Sequence, residues 1–348
     1  MEIEGLEKSK FEMMINNFVP KLRFSIANLT VFLLKTGEEV LVGGQAVFEG
    51  VMMRSPGSYS IAVRKPDHSI VIKKDYLTRP SERSKIWRCP VIRGVMTLGQ
   101  AFVLGIRALK FSTDQVLIGR ATQVGEAGRS PTERKTEISS WMMALNVGFA
   151  ILFFIVLFKL LPLLMASQLK EYFLILDNRF LFSVVDGSIR LFIFLGYIFS
   201  ISKIKDIRRI FEYHGAEHKV VFTYEAREKL SVQNARKYST LHPRCGTSFL
   251  MVVMLTSAFI YAFIPFDSFS LKLLSRVVLI PLIAGLSYEI IRLAATRESS
   301  VLNWITLPGL WLQKVTTKEP SDDQLEIAIR ALDETIILEN AEGQLAVI

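Results

Sequence analysis

The sequence predicts a mainly α-helical, polytopic membrane protein with about four transmembrane helices, a re-entrant or interfacial helix and a small cytoplasmic β element. Half of the 348 residues are hydrophobic, the mean hydropathy is +0.33 and only 22% of the residues are charged. A soluble domain of this length is usually more polar. The apolar residues also collect into long runs, and the basic residues collect beside the ends of those runs.

Each apolar run is long enough to cross a hydrocarbon core as a helix, which needs about 20 residues. The runs cover residues 141–166, 180–202, 247–266 and 277–295. The segment 203–246 between the second and third runs carries ten basic and five acidic residues, whereas the segments joining runs one to two and three to four carry two basic residues each. By the positive-inside rule the 203–246 loop is cytoplasmic, and an even number of spans places both termini there too.

The net charge of +9 is explained by these juxtamembrane basic residues, and we expect no nucleic-acid partner. The chain has neither an RNP signature nor zinc-finger spacing. Its two cysteines, Cys89 and Cys245, are too few and too far apart for the disulfide framework of a secreted scaffold. The acidic start, MEIEG, is unlike a removable signal peptide. The expected partner of the apolar runs is the lipid bilayer.

Residues 40–90 are expected to form a small cytoplasmic β-rich element. Two segments rich in β-branched residues, 60–65 and 69–73, flank a turn at 66–68 as the strands of a hairpin do. A cluster of turn-forming residues at 54–58 precedes them.

The segment 42–57, VGGQAVFEGVMMRSPG, is the other part of this element. It lacks the Gly-Lys-Ser/Thr ending of a phosphate-binding loop. We expect a buried strand, with a tight turn at Gly43 and Gly44 and with three inward polar groups, Gln45, Glu49 and Arg54.

Three further segments are less apolar than the four runs. Residues 91–112 hold an uninterrupted apolar stretch of about 13 residues, which is short for a span, so we expect a re-entrant or interfacial helix that does not cross the membrane. Residues 113–140 are polar and predict a linker. Residues 1–39 form an N-terminal extension with amphipathic character.

Residues 296–348 are expected to form a cytoplasmic segment that contains a helix from about 322 to 338. Ser321 and Gln324 have the spacing of a capping box at its start. One face of the helix is apolar and must dock on another element; it consists of Leu325, Ala328, Ile329 and Leu332.

Three of the four histidines lie in the 203–246 loop. His214 and His218 are four residues apart, so on a helix both imidazoles share a face, as two ligands of one metal must. His242 and Cys245 follow as a second pair. The four side chains make a tetrahedral set for a divalent metal, and we expect Zn²⁺. Three ligands and a water would make the site catalytic, whereas four would make it structural.

Glu217 lies next to His218, at a position suited to a general base beside the metal. The pattern H-x-x-E-H at 214–218 also matches the inverted zincin motif. That motif is short, however, and a 44-residue loop is too small for the inverted zincin fold. The structural alternative is that these histidines donate hydrogen bonds to backbone or lipid headgroups.

Charges within the apolar runs provide a second signal. Asp186 and Arg190 are four residues apart in the second run, so they can pair on one helix face and reduce their desolvation cost. The pair either locks the bundle or belongs to a polar pathway. Lys159 in the first run is expected to snorkel to the interface.

Five motifs in order resemble the YqhQ-like family of bacterial integral membrane proteins, which is defined by a domain of unknown function. They are GGQAVFEGVMMRSP (43–56), RGVMTLGQAFVLGIRAL (93–109), FEYHGAEHKVVFTYE (211–225), HPRCGTSFL (242–250) and PGLWLQKVTTKEPSDDQLEIAIRAL (308–332). The resemblance covers about residues 40–335 and implies a protein of the bacterial cytoplasmic (inner) membrane. The family carries the label of a predicted metal-dependent enzyme, and the resemblance supplies no established reaction.

Three functions are therefore compared. The first is a membrane-anchored metal-dependent hydrolase with a cytoplasm-facing zinc site, Glu217 as general base and a substrate from the cytosol or inner leaflet. The second is a non-catalytic assembly or scaffold factor with a closed structural site. The third is a transporter whose pathway contains Asp186 and Arg190; this would require a homo-oligomer, because four spans per chain are few.

Overall fold

The computed structural model describes residues 42–77, 85–123, 140–242, 245–296 and 300–345. These residues are mainly helical and contain one small antiparallel sheet. The expected N-terminal extension, 1–39, and residues 124–139 of the expected linker lie outside the described residues.

The sheet is an antiparallel meander of four strands in chain order. The strands are β1 (Gly43–Val47), β2 (Gly50–Arg54), β3 (Ser58–Arg64) and β4 (Ile70–Tyr76). The pairing of β3 with β4 confirms the expected hairpin. Gly43 and Gly44 lie within β1 and form no turn, which corrects that expectation. The turn from β1 to β2 falls instead at Phe48 and Glu49, where Glu49 has a φ of 52°.

The helices are α1 (Ile92–Gln123), α2 (Ser140–Ile155), α3 (Leu161–Tyr172), α4 (Arg179–Ile201), α5 (Lys205–Glu225), α6 (Val232–Arg236), α7 (Gly246–Ala262), α8 (Phe269–Val278), α9 (Ile280–Thr296), α10 (Ser300–Thr316) and α11 (Asp322–Leu345). A π-helical turn, Val156–Leu160, joins α2 to α3, and a 3₁₀ turn, Leu174–Asp177, joins α3 to α4. The expected 203–246 loop is thus largely helical, and α5 is its main element.

By length and composition, three helices in the described part of the chain could cross a membrane. They span Ile92–Gly119, Ala144–Tyr172 and Arg179–Ile201. Helices α8 and α9 make a fourth candidate if the pair, bent by 49°, counts as one span. The bend lies inside the fourth apolar run because Pro281, in the first turn of α9, has no N–H to continue the helix of α8. Helix α7, in the third run, has 17 residues and is shorter than the run predicted.

Helix α1 differs from the short helix expected at 91–112. It has 32 residues, so residues 113–123 of the expected linker are helical. The polar stretch after Phe111 does not end the helix, because Val116 follows at helical spacing from Leu104 and Ala108, and all three pack against the sheet. The N-terminal part of α1 packs on α9, where Arg93 donates a 2.6 Å hydrogen bond to Glu289. That α1 does not cross the membrane stays a prediction.

The sheet is covered on both faces. Helices α5 and α11 cover one face, which includes Val51 and Met53, and α1 covers the other, which includes Met52 and Ile61. Burial on both faces explains why β2 reads GVMMR without polar alternation.

Helix α11 begins and docks as expected, although it extends to Leu345. The backbone N–H of Ser321 donates to Gln324 Oε1 at 2.8 Å, as in a capping box. Its apolar face is buried against the sheet and α5: Leu325, Ala328, Ile329 and Leu332.

Helix α10, the first part of the expected C-terminal segment, packs against the helical bundle. It runs along α7 so closely that an added Cβ on Gly309 would lie 2.5 Å from the Cα of Ser248. Leu312 completes an apolar cluster with Phe158 and Met251 of the bundle. The end of α10 is thereby placed beside α5.

Candidate metal centre

Helix α5 presents His214 and His218 on one face, with ring centroids 4.5 Å apart. Cys245 is the N-cap of α7 and faces them, with its Sγ 3.1 Å from Nε2 of His214. One ligand atom from each of the three residues lies within 4.8 Å of the others. The positive end of the α7 dipole also lies at this sulfur. The structure therefore brings three of the four predicted ligands together.

Two backbone carbonyls hold the imidazoles in place. His214 Nδ1 donates to the carbonyl of Thr316 at 2.8 Å, and His218 Nδ1 donates to the carbonyl of Thr240. Because a carbonyl can only accept, the proton of each neutral ring is assigned to Nδ1 and the lone pair to Nε2. Proteins orient metal-binding histidines in this way.

The approach of Thr316 to α5 depends on Gly215. A Cβ added there would lie 2.0 Å from the carbonyl oxygen of Lys318. The N–H of Lys318 donates to the carbonyl of Phe211 at 2.9 Å. Any side chain at position 215 would push the end of α10 away from His214.

Gln313 is a site residue that the sequence did not reveal. It is fully buried in α10, and its side chain accepts from the backbone N–H of His242 at 2.8 Å and donates to the carbonyl of His242 at 2.9 Å. It thereby fixes the segment that precedes Cys245. No motif spacing links position 313 to position 242, so no signal in one sequence could have found it.

His242 lies beside the group of three and is not part of it. Its Nε2 donates to Glu225 at 3.4 Å, and its ring centroid is 5.6 Å from that of His218. The ring also packs on Phe222 at 4.4 Å. The expected fourth ligand is therefore positioned by Gln313 and Glu225 as a neighbour of the group.

Glu217, the expected general base, is directed at β1 of the sheet. Its Oε1 accepts the backbone N–H of Gly44 at 2.9 Å. On an α-helix, position 217 is rotated by about 100° from position 218. A Cβ on Gly44 would lie 3.0 Å from Cγ of Glu217, so this glycine allows the carboxylate to reach β1.

The three polar residues predicted in segment 42–57 contact different parts of the structure. Glu49 accepts a 2.6 Å hydrogen bond from Arg209 and lies 3.3 Å from the hydroxyl of Tyr213. Burial, with Glu49 as a second cause, raises the pKa of Tyr213, and the hydrogen bond from Arg209 raises the pKa of that guanidinium. Gln45 packs against α1 at Gly105.

Arg54, by strand alternation, lies on the same face as Met52, which α1 covers. Burial lowers the pKa of its guanidinium. Neither Gln45 nor Arg54 is therefore directed at the histidine face of α5.

Asp186 and Arg190 form the expected ion pair in α4, and each side chain is only 1% exposed. Arg276 of α8 joins them with a 2.6 Å hydrogen bond to Asp186. Arg276 is one of the two basic residues in the segment between the third and fourth apolar runs. Lys159 is also buried, inside the π-helical turn, and donates to the hydroxyl of Tyr261 at 3.1 Å, so it does not snorkel.

Together, the helical bundle and the His–Cys group define a mainly helical protein with a candidate metal centre at one end of its apolar helices. A family model described as "Protein of unknown function (DUF1385)" matches residues 89–337, and the chain belongs to this family. The chain is 33% identical over 308 residues to the uncharacterized protein YqhQ of Bacillus subtilis (strain 168), an alignment that covers 87% of this chain and 94% of that protein. No solved structure matches. The expected family is thus confirmed.

The first prediction concerns Glu217. Glu217→Ala should destabilise the protein by about 1–3 kcal/mol, because it leaves the half-buried N–H of Gly44 without its acceptor. Glu217→Gln should cost less, because the amide oxygen can still accept. Thermal unfolding in detergent measures both, with the exposed Glu171→Ala as control. Wild-type stability of Glu217→Ala would contradict the structural role.

The second prediction concerns Asp186, which neutralises two arginines. Asp186→Asn should lower the free energy of unfolding by about 3–5 kcal/mol, because it leaves the buried Arg190 and Arg276 without a carboxylate partner. Adding Arg190→Gln should restore part of that stability, and adding Arg276→Gln as well should restore more. Unfolding of the series in detergent tests this, with the exposed Arg208→Gln as control. Losses that simply add would mean that the three side chains are not coupled.

Proposed function

We propose that this chain is a multi-pass protein of the bacterial cytoplasmic membrane with a divalent-metal centre at its cytoplasmic face, and that it acts as a metal-dependent hydrolase. His214, His218 and Cys245 would hold the metal, with Zn²⁺ as the best fit. The observation that carries the proposal is the pair of imidazole–carbonyl hydrogen bonds, which leaves Nε2 of both rings unprotonated, in one group with the thiol of Cys245 that lies 3.1 Å from Nε2 of His214.

The membrane location is supported by the outer surface of the helical bundle. Large apolar side chains there are 65–85% exposed: Trp141, Phe149, Leu174, Phe192, Phe259 and Phe263. Apolar surface of this extent is unfavourable in water and suits lipid. The basic 203–246 segment favours the cytoplasmic side for α5 and both termini.

The donor set suits zinc. Zn–N bonds of about 2.0–2.1 Å and Zn–S bonds of about 2.3 Å place a nitrogen and a sulfur about 3.6 Å apart in a tetrahedral site. The 3.1 Å between His214 Nε2 and Cys245 Sγ, within a group spanning 4.8 Å, needs only small side-chain movements to reach this geometry. Two imidazoles and one thiolate are ligands that Zn²⁺ binds well.

Metal-dependent hydrolysis uses a Lewis acid together with a group that moves protons. A bound divalent ion would supply Lewis acidity toward a carbonyl or phosphoryl oxygen of the substrate. The pair formed by His242 and Glu225 replaces Glu217 as the candidate acid–base group, because its imidazole lies beside the ring of His218. Glu225 orients that imidazole by accepting from Nε2. The substrate would come from the cytosol or the inner leaflet.

A second candidate function, a non-catalytic assembly or scaffold factor, is favoured by the position of the group. The group and its carbonyl partners join α5, the segment at Thr240 to Cys245 and the end of α10, which are far apart in the sequence. A metal that ties such segments together stabilises a fold, and a fourth protein ligand would make the site structural.

The third prediction tests the metal centre. Full-length protein purified in detergent should carry about one zinc per chain, and His214→Ala, His218→Ala and Cys245→Ser should each lower this at least about tenfold, because each removes a ligand. Metal content is measured by elemental mass spectrometry. The chain offers matched controls, because His68→Asn and Cys89→Ser change exposed residues and should keep the zinc. Unchanged zinc in the three ligand variants would exclude the site.

A further inference from the structure

We propose that the bundle holds an anion site, separate from the metal centre, that binds a phosphate group in a cleft above Arg276 and Tyr261. The cleft lies where α3, α4, α7 and α8 meet near the Leu174–Asp177 turn. This is the N-terminal end of α4, whereas α5 and the metal centre follow its C-terminal end. The proposal therefore does not depend on the metal-dependent function.

The buried cluster carries more positive than negative charge. Asp186 accepts from both Arg190 and Arg276, and one carboxylate cannot neutralise two guanidiniums. Lys159, also buried, has no carboxylate partner among the described residues, so the charged forms sum to +2. Surplus positive charge among apolar helices is costly unless an anion or a proton loss compensates it.

Tyr261 lies among the three buried cations. Its ring centroid is 4.9 Å from Cζ of Arg190, 5.1 Å from Cζ of Arg276 and 5.4 Å from Nζ of Lys159. Its hydroxyl accepts from Lys159 and donates to the backbone carbonyl of Arg276 at 3.2 Å. Cation–π contacts offset only part of the cost of three buried cations.

Arg190 also has an unused donor. Its Nε is buried and finds no hydrogen-bond acceptor in the described part of the chain, although its side chain is 1% exposed. Native proteins rarely leave such a donor unpaired. The described side chains therefore do not satisfy all the donors of this positively charged cluster.

The cleft gives an anion access to one side of this cluster, at Arg276 and Tyr261. Tyr261 and Arg276 line it together with three bases nearer the surface, Lys170, Arg179 and Lys272. Asp177 and Asp267 also line the cleft, where they make exposed ion pairs with Lys170 and Arg179 that neutralise these two cations only weakly. Lys272 lies over the ring of Phe182, 4.6 Å from its centroid, and has no carboxylate partner among the described residues.

A phosphate group is the anion that fits best. Its oxygens can accept from the guanidinium of Arg276 and the ammonium of Lys272, which are common phosphate-binding groups in proteins. The negative charge of phosphate, one to two units, is similar in size to the surplus positive charge of the cluster. The phosphate belongs either to a soluble ion or ester, or to the headgroup of an anionic lipid.

The test uses full-length protein in a neutral detergent. One arm titrates inorganic phosphate against chloride at equal ionic strength and follows thermal stability. The other arm adds phosphatidylglycerol, with phosphatidylcholine as the uncharged control, and counts bound lipids by native mass spectrometry. Saturable binding of phosphate assigns a soluble ligand, whereas retention of about one phosphatidylglycerol, without a phosphate effect, assigns a lipid headgroup.

Variants at the surface of the cleft should keep the fold intact, because they replace side chains outside the buried cluster. Lys272→Gln combined with Arg179→Gln should weaken binding of the responding probe at least about fivefold, whereas Lys203→Gln, an exposed base at the other end of α4, should leave it unchanged. Lys159→Met should raise stability without the anion and reduce the stabilisation that the anion gives, because it removes one surplus charge. Binding of neither probe, or equal binding by the double variant and the wild type, would overturn the proposal.

Discussion

Helix α5 carries three consecutive buried ionisable side chains, Glu217, His218 and Lys219, and the arrangement of the surrounding elements depends on their need for partners. Glu217 accepts a hydrogen bond from the N–H of Gly44 in β1, and His218 donates one to the carbonyl of Thr240. Lys219 donates to the carbonyl of Arg236 at 3.1 Å and pairs with Glu319 at 2.7 Å. Three separate parts of the chain are thereby fixed to one helix, because none of these groups can turn to water.

The same constraint accounts for the His–Cys group. The partners of His218 and Lys219 bring the segment after α6 and the segment after α10 to one side of α5, and Gly215 lets the latter come close. The carbonyl of Thr316 and the sulfur of Cys245 then meet His214, one turn before His218. A metal bound there would add stability to an arrangement that the buried polar groups already impose.

Part of this structure could be predicted from the sequence, where a pattern is local. Helical spacing placed His214 with His218 and Asp186 with Arg190, and turn and capping signals located the hairpin and the start of α11. These predictions hold because the partners are a few residues apart and one periodicity relates them.

The remainder depends on contacts between distant segments. The backbone carbonyls of Thr240 and Thr316 can belong to any residue type, so no sequence pattern marks them. In the sequence Arg276 cannot be told from a loop residue, because its contact with Asp186 depends on how α8 packs against α4. The contact of Glu217 with β1 was not predicted, because helical spacing gives the angle of a side chain around the helix but not the element that lies on that side. The short apolar stretch at 91–112 also led to a helix that was too short. A polar stretch can continue a helix when the next turn packs on a sheet, as in α1.

The most direct test of the account is X-ray absorption at the zinc edge on the zinc-loaded, detergent-purified protein, because it reports the ligands themselves. The account predicts one sulfur at about 2.3 Å and two imidazole nitrogens at about 2.0–2.1 Å, with one further light atom that no cysteine supplies. A shell without sulfur, or one with two or more sulfurs, would contradict the assignment of His214, His218 and Cys245 as the ligands.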